Sequence, residues 1–336
     1  LGAMPLALRP DAREVANIGF GSGLTVHTIL GEEDIERVDT VEIEPKMVEA
    51  ARLFGDLVGR SFEDPRSHII IQDAKTFFSR NARSYDIIVS EPSNPWVSGV
   101  ASLFTDEFYE DISRYLNEDG LLVQWFHTYE SSTELISAMG RALNKHFPRY
   151  ALYSISDLDI MFIATRGDRS LTEFDPQIFE DPELRASLAR AGIDDVADLQ
   201  ARLIGESEYI QPFLETLRAP VNSDFFPYIA NQAPRFFFLK RRADEITNLL
   251  YADVPVLDLL GARTIPDTPL GEGHGFWQYE QLQATAYVIL DTIADNSEAL
   301  NEEINDDAMA MAVRVLRHEL MQCPTGQDTA NETLLS

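Results

Sequence analysis

The fold is decided by the stretch Val15-Ala-Asn-Ile-Gly-Phe-Gly-Ser-Gly-Leu24, where an apolar run enters a turn with three glycines. A segment that can form a helix follows, and a second apolar run ends in carboxylates at Val41-Glu-Ile-Glu-Pro45. Glycines let backbone N–H groups approach a ligand at the start of a helix. A carboxylate at the end of the second strand can accept the hydroxyls of a ribose. This order of features predicts an α/β domain that binds a nucleoside.

Short apolar runs recur along the chain, and most are rich in β-branched residues. They lie at 15–20, 38–43, 67–72, 85–90 and 120–125. A helix-compatible stretch follows each of the first four, which favours a parallel sheet covered by helices. Two further runs, Tyr150–Ile155 and Ile160–Thr165, are so close together that they predict an antiparallel hairpin. The predicted fold class is therefore a Rossmann-like, methyltransferase-type α/β fold, with a parallel sheet closed by an antiparallel hairpin and a C-terminal helical appendage.

The helical pattern predicts the rest of the organisation. A helix is expected from Leu103 to Leu116, ending at the turn residues 117–120. Residues 170–218 have a charged helical pattern, and a loop at 219–227 interrupts it. We predict a nucleoside-binding domain over residues 1–240 and a helical appendage over 241–322. The polar residues 323–336 are expected to be a disordered tail.

The composition restricts the classes of molecule that this chain is expected to bind. The formal net charge is -29, from 56 acidic and 27 basic residues, which argues against nucleic acid and anionic membranes and would attract a cationic substrate such as a polyamine. A solubilising surface suited to a salty habitat is the favoured explanation of this charge. Cys323 is the only cysteine, so an intrachain disulfide is excluded. No apolar run reaches the ~18 residues needed to span a bilayer. The opening residues 1–6 read like the interior of a longer protein.

The glycine turn and the next two strand ends supply the candidate nucleoside site. Glu42 ends the second apolar run and is the predicted ribose ligand. Asp73 follows the third run and, with Ala74, is predicted to contact the adenine. A helix N-cap is the alternative role for Asp73. The turn itself is formed by Gly19, Gly21, Ser22 and Gly23.

The fourth strand leads into Ser90-Glu-Pro-Ser-Asn-Pro-Trp96, at the sheet edge where open α/β proteins bind ligands. Glu91 could take a proton from an attacking amine, while Ser93, Asn94 and Trp96 could line the site. A rigid structural loop is the alternative. His127 and Tyr129, after the fifth run, could reach the same pocket, although core or surface roles are favoured. The six histidines show no metal-ligand spacing, so we expect no metal.

Together these motifs resemble the spermidine synthase (polyamine aminopropyltransferase) family over roughly residues 1–240. The loop Asn222-Ser-Asp224 with Pro227 is similar to the bacterial branch in which such a domain is fused behind a multi-span membrane region. The residues that carry the resemblance are Ile18-Gly-Phe-Gly-Ser-Gly23, Val41-Glu-Ile-Glu44, Gln72-Asp-Ala74, Tyr85-Asp-Ile-Ile-Val-Ser-Glu-Pro-Ser-Asn-Pro95 and Leu103-Phe-Thr-Asp-Glu-Phe-Tyr109.

The resemblance implies that the co-substrate is decarboxylated S-adenosylmethionine and that the amine of putrescine attacks its aminopropyl carbon. It places Glu91 at the position of the family's catalytic aspartate. Ser22 and Asn94 stand where the family usually has aspartates, and Glu91 is one methylene longer than the usual base. The family's N-terminal β-hairpin, which contributes amine-binding and oligomer contacts, has no counterpart in this sequence. A cationic diamine is therefore expected to bind more weakly, while the nucleoside half of the site is retained.

The leading function is aminopropyl transfer to a polyamine or another amine, with Glu91 and Asn94 as the catalytic pair and no metal. One alternative is a methyltransferase that uses intact S-adenosylmethionine, because the loss of an aspartate at position 22 leaves room for its carboxylate. Another is a non-catalytic nucleoside- or polyamine-binding domain of a membrane protein. A homo-oligomer is left open. The implied location is the cytoplasm, either alone or as the soluble domain of an inner-membrane protein.

Overall fold

The computed structural model describes residues 1–243, apart from 157 and 218, and residue 246. The strands are β1 (Glu14–Ile18), β2 (Arg37–Glu42), β3 (Ser67–Ile71), β4 (Tyr85–Ser90), β5 (Leu116–His127), β6 (Arg149–Ser156), β7 (Asp159–Thr165) and β8 (Leu203–Glu206). The helices are α1 (Ala3–Leu8), α2 (Leu24–Ile29), α3 (Pro45–Ala51), α4 (Gly59–Glu63), α5 (Ala74–Arg80), α6 (Asp106–Ser113), α7 (Thr133–Asn144), α8 (Pro182–Arg190), α9 (Val196–Gln200), α10 (Ser207–Thr216) and α11 (Tyr228–Leu239). Within this described part of the chain, three 3₁₀ segments cover Arg52–Val58, Val100–Phe104 and Pro176–Phe179.

Within the described residues the strands form one sheet in the order β3-β2-β1-β4-β5-β7-β6-β8. The first five strands are parallel, β7 is antiparallel to β5, and β6 is antiparallel to β7 and β8. The predicted α/β fold and its closing hairpin are confirmed. Because all five parallel strands end at one edge, the residues that follow β1, β2, β3 and β4 are brought together there.

The sheet separates two apolar cores. Along β1, Val15 packs on one side with Ile29 and Leu30, whereas Ala16 packs on the other side with Phe78 and Phe104. This alternation follows from the two-residue period of a strand. Both faces are covered by helices, which explains why the strands read as continuous apolar runs.

The predicted helix from Leu103 to Leu116 is wrong at both ends. The structure has a 3₁₀ segment, then Thr105, whose Oγ1 accepts the N–H of Phe108 and caps α6. The helix ends at Ser113, and Leu116 already pairs with Tyr85 in the sheet. The next pair joins Leu121 to Ile87, so the turn residues 117–120 form a bulge inside β5. The turn therefore lies within a strand rather than between a helix and a strand.

The segment 170–218 also differs from its helical pattern, because it contains β8. This short strand pairs with β6, and Ile204 is fully buried against the apolar core. Its partner is about fifty residues away in sequence, so local periodicity does not reveal it.

The predicted appendage over 241–322 and tail over 323–336 lie outside the described residues, except for 241–243 and 246. Among the described residues, no helix combines the length and apolar character needed to cross a bilayer.

The buried carboxylate of Asp86 accepts several hydrogen bonds at the edge of the sheet opposite the candidate site. Asp86 accepts hydrogen bonds from Arg9 Nη2 at 2.9 Å, from Asn117 Nδ2 at 2.9 Å, and from the N–H groups of Arg13 and Glu14 at 2.8 and 3.0 Å. Burial alone would raise the pKa of Asp86. The bonds from Asn117 and the two backbone groups, with the charge of Arg9, outweigh burial and hold that pKa below its ordinary 3.8.

Asp86→Asn is expected to lower the free energy of unfolding by about 2 kcal/mol, because a charged acceptor of several bonds becomes neutral. The folded pKa lies below the unfolded one, so this stabilisation is present above the unfolded pKa and is lost as the pH falls through the folded pKa. Urea unfolding at pH 7 and pH 3 measures both effects. A difference between wild type and variant that is the same at both pH values would contradict the ionic role.

Candidate functional site

The glycine turn brings the end of β1 against the loop that follows β4. Gly19 has φ +89°, and its N–H donates to the carbonyl of Val41 at 2.9 Å. A Cβ at this position would lie 2.2 Å from the carbonyl oxygen of Glu91. Only glycine therefore allows both the left-handed backbone and this approach.

Glu42 is buried at the end of β2 and is held by the same turn. Its carboxylate accepts the N–H of Phe20 at 2.9 Å and the N–H of Glu44 at 2.8 Å. Glu44 has a separate role, because its side chain accepts the N–H of Lys46 and caps α3 before Pro45. Glu42 is therefore fixed by two backbone donors at the edge of the sheet where β2 ends.

Asp73 follows β3 and lies beside the Glu42 strand end, because the N–H of Gln72 donates to the carbonyl of Glu42 at 3.0 Å. Its Oδ1 accepts the N–H of Thr76 at 2.8 Å and caps α5, so the N-cap role considered from the sequence is present. The other carboxylate oxygen takes no part in this cap. The adjacent Ala74 is buried.

Glu91 is half-buried at the end of β4, and its backbone N–H donates to the carbonyl of Ile18 at 2.9 Å. The hydroxyl of Thr25, in the first turn of α2, donates to Glu91 Oε2 at 2.7 Å. Burial raises the pKa of Glu91, and the bond from Thr25 only partly offsets that rise. No local pattern indicates the Thr25 contact, since 66 residues separate the partners.

The loop after Glu91 packs on the end of β5 through aromatic rings. Asn94 Nδ2 donates to the hydroxyl of Tyr129 at 3.0 Å. The Trp96 ring lies 4.9 Å from that of His127 and 4.7 Å from that of Phe237, measured between centroids. Burial lowers the pKa of His127 to about 4, so its imidazole is neutral at pH 7. Ser93, in the same loop, is exposed.

The loop 222–227, whose sequence carries part of the family resemblance, is bonded to α5 and α6 beside the candidate site. Lys75, one residue after Ala74, forms an ion pair with Asp224 at 2.9 Å. Glu107 accepts the hydroxyl of Ser223 at 2.7 Å and the N–H of Asp224 at 2.8 Å. The sequence motif thus corresponds to a loop that is anchored from two helices.

The predicted site residues fall into two linked groups. The segment 19–25 bonds Glu42 at one end and Glu91 at the other, and Asp73 lies beyond Glu42. Asn94 and Trp96 contact the end of β5 instead. A separate cavity of about 940 Å³ lies behind α2, and no predicted site residue lines it. Among the described residues, no group of three or more His, Cys, Asp or Glu side chains is placed to hold a metal ion.

Part of this chain is similar to proteins of one family. Residues 1–160 match the spermine/spermidine synthase domain. The polyamine aminopropyltransferase of Caldicellulosiruptor bescii is 31% identical over 150 residues, which cover 45% of this chain and 54% of that protein. The polyamine aminopropyltransferase of Alkaliphilus oremlandii is 32% identical over 152 residues, which cover 45% and 53%. The chain thus spans about half the length of the curated relatives that it matches. The solved spermidine synthase of Thermotoga maritima is 25% identical, with a TM-score of 0.46, over 53% of this chain and 62% of that one.

Proposed function

We propose, from the match of residues 1–160 to the spermine/spermidine synthase domain, that this chain transfers an aminopropyl group from decarboxylated S-adenosylmethionine to an amine. The observation that carries the proposal is the glycine segment 19–25, which is hydrogen-bonded to Glu42 and to Glu91. One rigid segment thereby fixes a candidate ribose ligand relative to a candidate base. Such fixed geometry is what a displacement between two bound molecules requires.

Side chains at the ends of β2 and β3 support the proposal of nucleoside binding. Glu42 would accept the ribose hydroxyls, and Asp73 with the N–H of Ala74 would meet the adenine edge. Ile43 and Ile71 are exposed apolar residues next to these strand ends, and they would pack on the faces of the purine. The sequence pattern singles out neither isoleucine, because each reads as part of an apolar run.

The transfer itself needs little beyond positioning and one base. The amine nitrogen forms a bond to the aminopropyl carbon next to the sulfonium, the carbon–sulfur bond breaks, and methylthioadenosine leaves as a neutral thioether. The nitrogen then loses a proton, which Glu91 would accept. Burial raises the pKa of Glu91 towards neutral pH, so its carboxylate is a better base than that of an exposed glutamate.

Few of the side chains predicted to line the amine half of the site are charged. Asn94 is bonded to Tyr129, and His127 is neutral at pH 7, so Glu91 is the carboxylate among these predicted residues. Asp159, which pairs with His127 between β5 and β7, is close enough for its charge to raise the pKa of Glu91 further. The rings of Trp96 and Tyr129 could hold an ammonium through cation–π contact, which is weaker than an ion pair with a carboxylate. The acceptor is therefore an amine that the aromatic rings can bind, and putrescine is the simplest one to test.

A methyltransferase that uses intact S-adenosylmethionine is the second candidate, and Ser22 favours it. The Ser22 hydroxyl accepts the N–H of Leu24 at 3.3 Å and places no negative charge in the turn. A neutral side chain there would not repel the carboxylate of intact S-adenosylmethionine.

Calorimetric titration with decarboxylated S-adenosylmethionine, S-adenosylmethionine, methylthioadenosine and putrescine, each alone, tests the proposal. We expect the decarboxylated form and methylthioadenosine to bind, and a product assay to detect spermidine. Preferential binding of intact S-adenosylmethionine would favour the methyltransferase. Nucleoside binding without turnover would favour a sensory domain, and no binding of any adenosine thioether at millimolar concentration would contradict all three.

Glu42→Ala is expected to weaken methylthioadenosine binding by about 1–3 kcal/mol, because the ribose hydroxyls lose their acceptor in a buried site. Glu44→Ala is the matched control, since its carboxylate caps α3 only two residues away. The control should lower stability by about 1 kcal/mol and leave the affinity unchanged. Equal losses of affinity in the two variants would argue against a ribose contact by Glu42.

A further inference from the structure

We propose that Thr25 is a positioning residue for Glu91, whose carboxylate it holds in one conformation at the end of β4. The use of that carboxylate as a base rests on the proposed function, whereas the contact between the two side chains does not. Thr25 Oγ1 donates to Glu91 Oε2 at 2.7 Å, the distance of a hydrogen bond to an ionised carboxylate. Thr25 would act on the reaction only through Glu91.

The bond differs from the one that the helix offers to a threonine locally. A threonine hydroxyl in a helix can donate to the carbonyl group three or four residues earlier. Thr28, in the same helix α2, does this, because its hydroxyl donates to the carbonyl of Leu24 at 2.8 Å. Thr25 donates instead to a side chain 66 residues away. The contact therefore results from the packing of α2 against the end of β4.

The length of the Glu91 side chain explains why such a contact is needed. A glutamate has one more rotatable bond than an aspartate, so its carboxylate has more conformations when nothing holds it. The backbone N–H of Glu91 donates to the carbonyl of Ile18 at 2.9 Å, and its carboxylate accepts the hydroxyl of Thr25. Ile18 and Thr25 lie on either side of the glycine turn. Both ends of Glu91 are therefore bonded to the segment that carries this turn.

Thr25 also acts on the charge of Glu91. Burial is the largest influence and raises the pKa of Glu91, while the bond from Thr25 lowers that pKa by stabilising the ionised form. Two charged groups act as well: Asp159, at the start of β7, raises the pKa, and the amino group of Leu1 lowers it. Loss of the Thr25 hydroxyl should therefore move the pKa of Glu91 further above its ordinary 4.5, because the other influences stay.

Titration of Glu91 in the protein without substrate tests the contact independently of turnover. Carbon-13 NMR follows the glutamate carboxyl groups, and the signal that is absent from Glu91→Gln identifies Glu91. Thr25→Val should raise the midpoint of this titration by about one pH unit, because valine keeps the shape of threonine but has no donor. Thr25→Ser keeps the hydroxyl and should titrate close to the wild type. Thr28→Val is the matched control in the same helix and should leave the titration unchanged.

The rate of spermidine formation shows whether the position of the carboxylate matters. Thr25→Val should lower kcat about tenfold, less than Glu91→Gln does, because the carboxylate is still present but no longer held. The KM for decarboxylated S-adenosylmethionine should change little, and the acid limb of turnover should move to higher pH together with the pKa. Thr25→Ser and Thr28→Val should stay near the wild type. In the Glu91→Gln protein, Thr25→Val should cause no further loss.

An unchanged titration in Thr25→Val, or an equal shift in Thr28→Val, would overturn the proposal. A loss of turnover that persists when Thr25→Val is added to Glu91→Gln would also overturn it, because Thr25 would then act independently of Glu91. So would an unchanged kcat in Thr25→Val if the wild type is active. A wild type that forms no spermidine would contradict the proposed function, whereas a shifted titration in Thr25→Val would still support the contact.

Discussion

The Glu91→Gln protein is expected to form spermidine ~10²–10⁴-fold more slowly than the wild type, the usual contribution of a positioned general base. Glutamine is close in size to glutamate and can still accept the hydroxyl of Thr25, so the loop should keep its conformation. Its amide cannot take a proton from the attacking nitrogen. The nucleoside affinity should therefore remain near that of the wild type while turnover falls.

The pH dependence separates a base from a residue that only supports the loop. Glu91 must be ionised to accept a proton, and burial raises its pKa above the ordinary 4.5. Turnover of the wild type should fall as the pH drops through that raised pKa. The Glu91→Gln variant should lack this acid limb, because no carboxylate titrates at the position.

Glu107→Gln is the matched control for Glu91→Gln. Glu107 is also a hydrogen-bonded carboxylate near the site, but its partners include Ser223 and the backbone of Asp224 rather than Thr25. We expect its replacement to change turnover by less than tenfold. A similar drop in both variants, or an acid limb that persists in Glu91→Gln, would show that Glu91 is not the base.

Gly19→Ala is expected to destabilise the fold by about 2–6 kcal/mol. The added Cβ would lie 2.2 Å from the carbonyl oxygen of Glu91, a backbone atom that cannot rotate away. The residue must also adopt φ +89°, which a side chain disfavours. Denaturant unfolding measures the loss, and nucleoside binding should be lost with it because the turn moves.

Gly21→Ala separates the cost of the left-handed backbone from the cost of the steric contact. Gly21 has φ +52°, yet a Cβ there would have no heavy atom within 4 Å. This variant should lose only the about 1–2 kcal/mol that the left-handed conformation costs. If both variants lose the same stability, the close approach between Gly19 and Glu91 is not what restricts position 19.

The arrangement of the sheet follows from local features of the sequence. Five apolar runs separated by helical stretches predict the parallel strands, and two runs joined by a short connection predict the hairpin. These signals are local, because strand period, helix period and turn residues act within a few positions. For the same reason the glycine turn, Glu42, Asp73 and Glu91 can be assigned to strand ends, and hence to one edge of the sheet, from the amino-acid sequence.

Which side chains meet depends instead on the packing of the whole fold. The bond from Thr25 to Glu91, the ion pair between Lys75 and Asp224, and the pairing of β8 with β6 each join segments far apart in sequence. No periodicity encodes such pairs, since they depend on how the strands and helices are packed. The exposure of Phe238 is of the same kind, because the packing of α11 decides which face of this helix remains open to solvent.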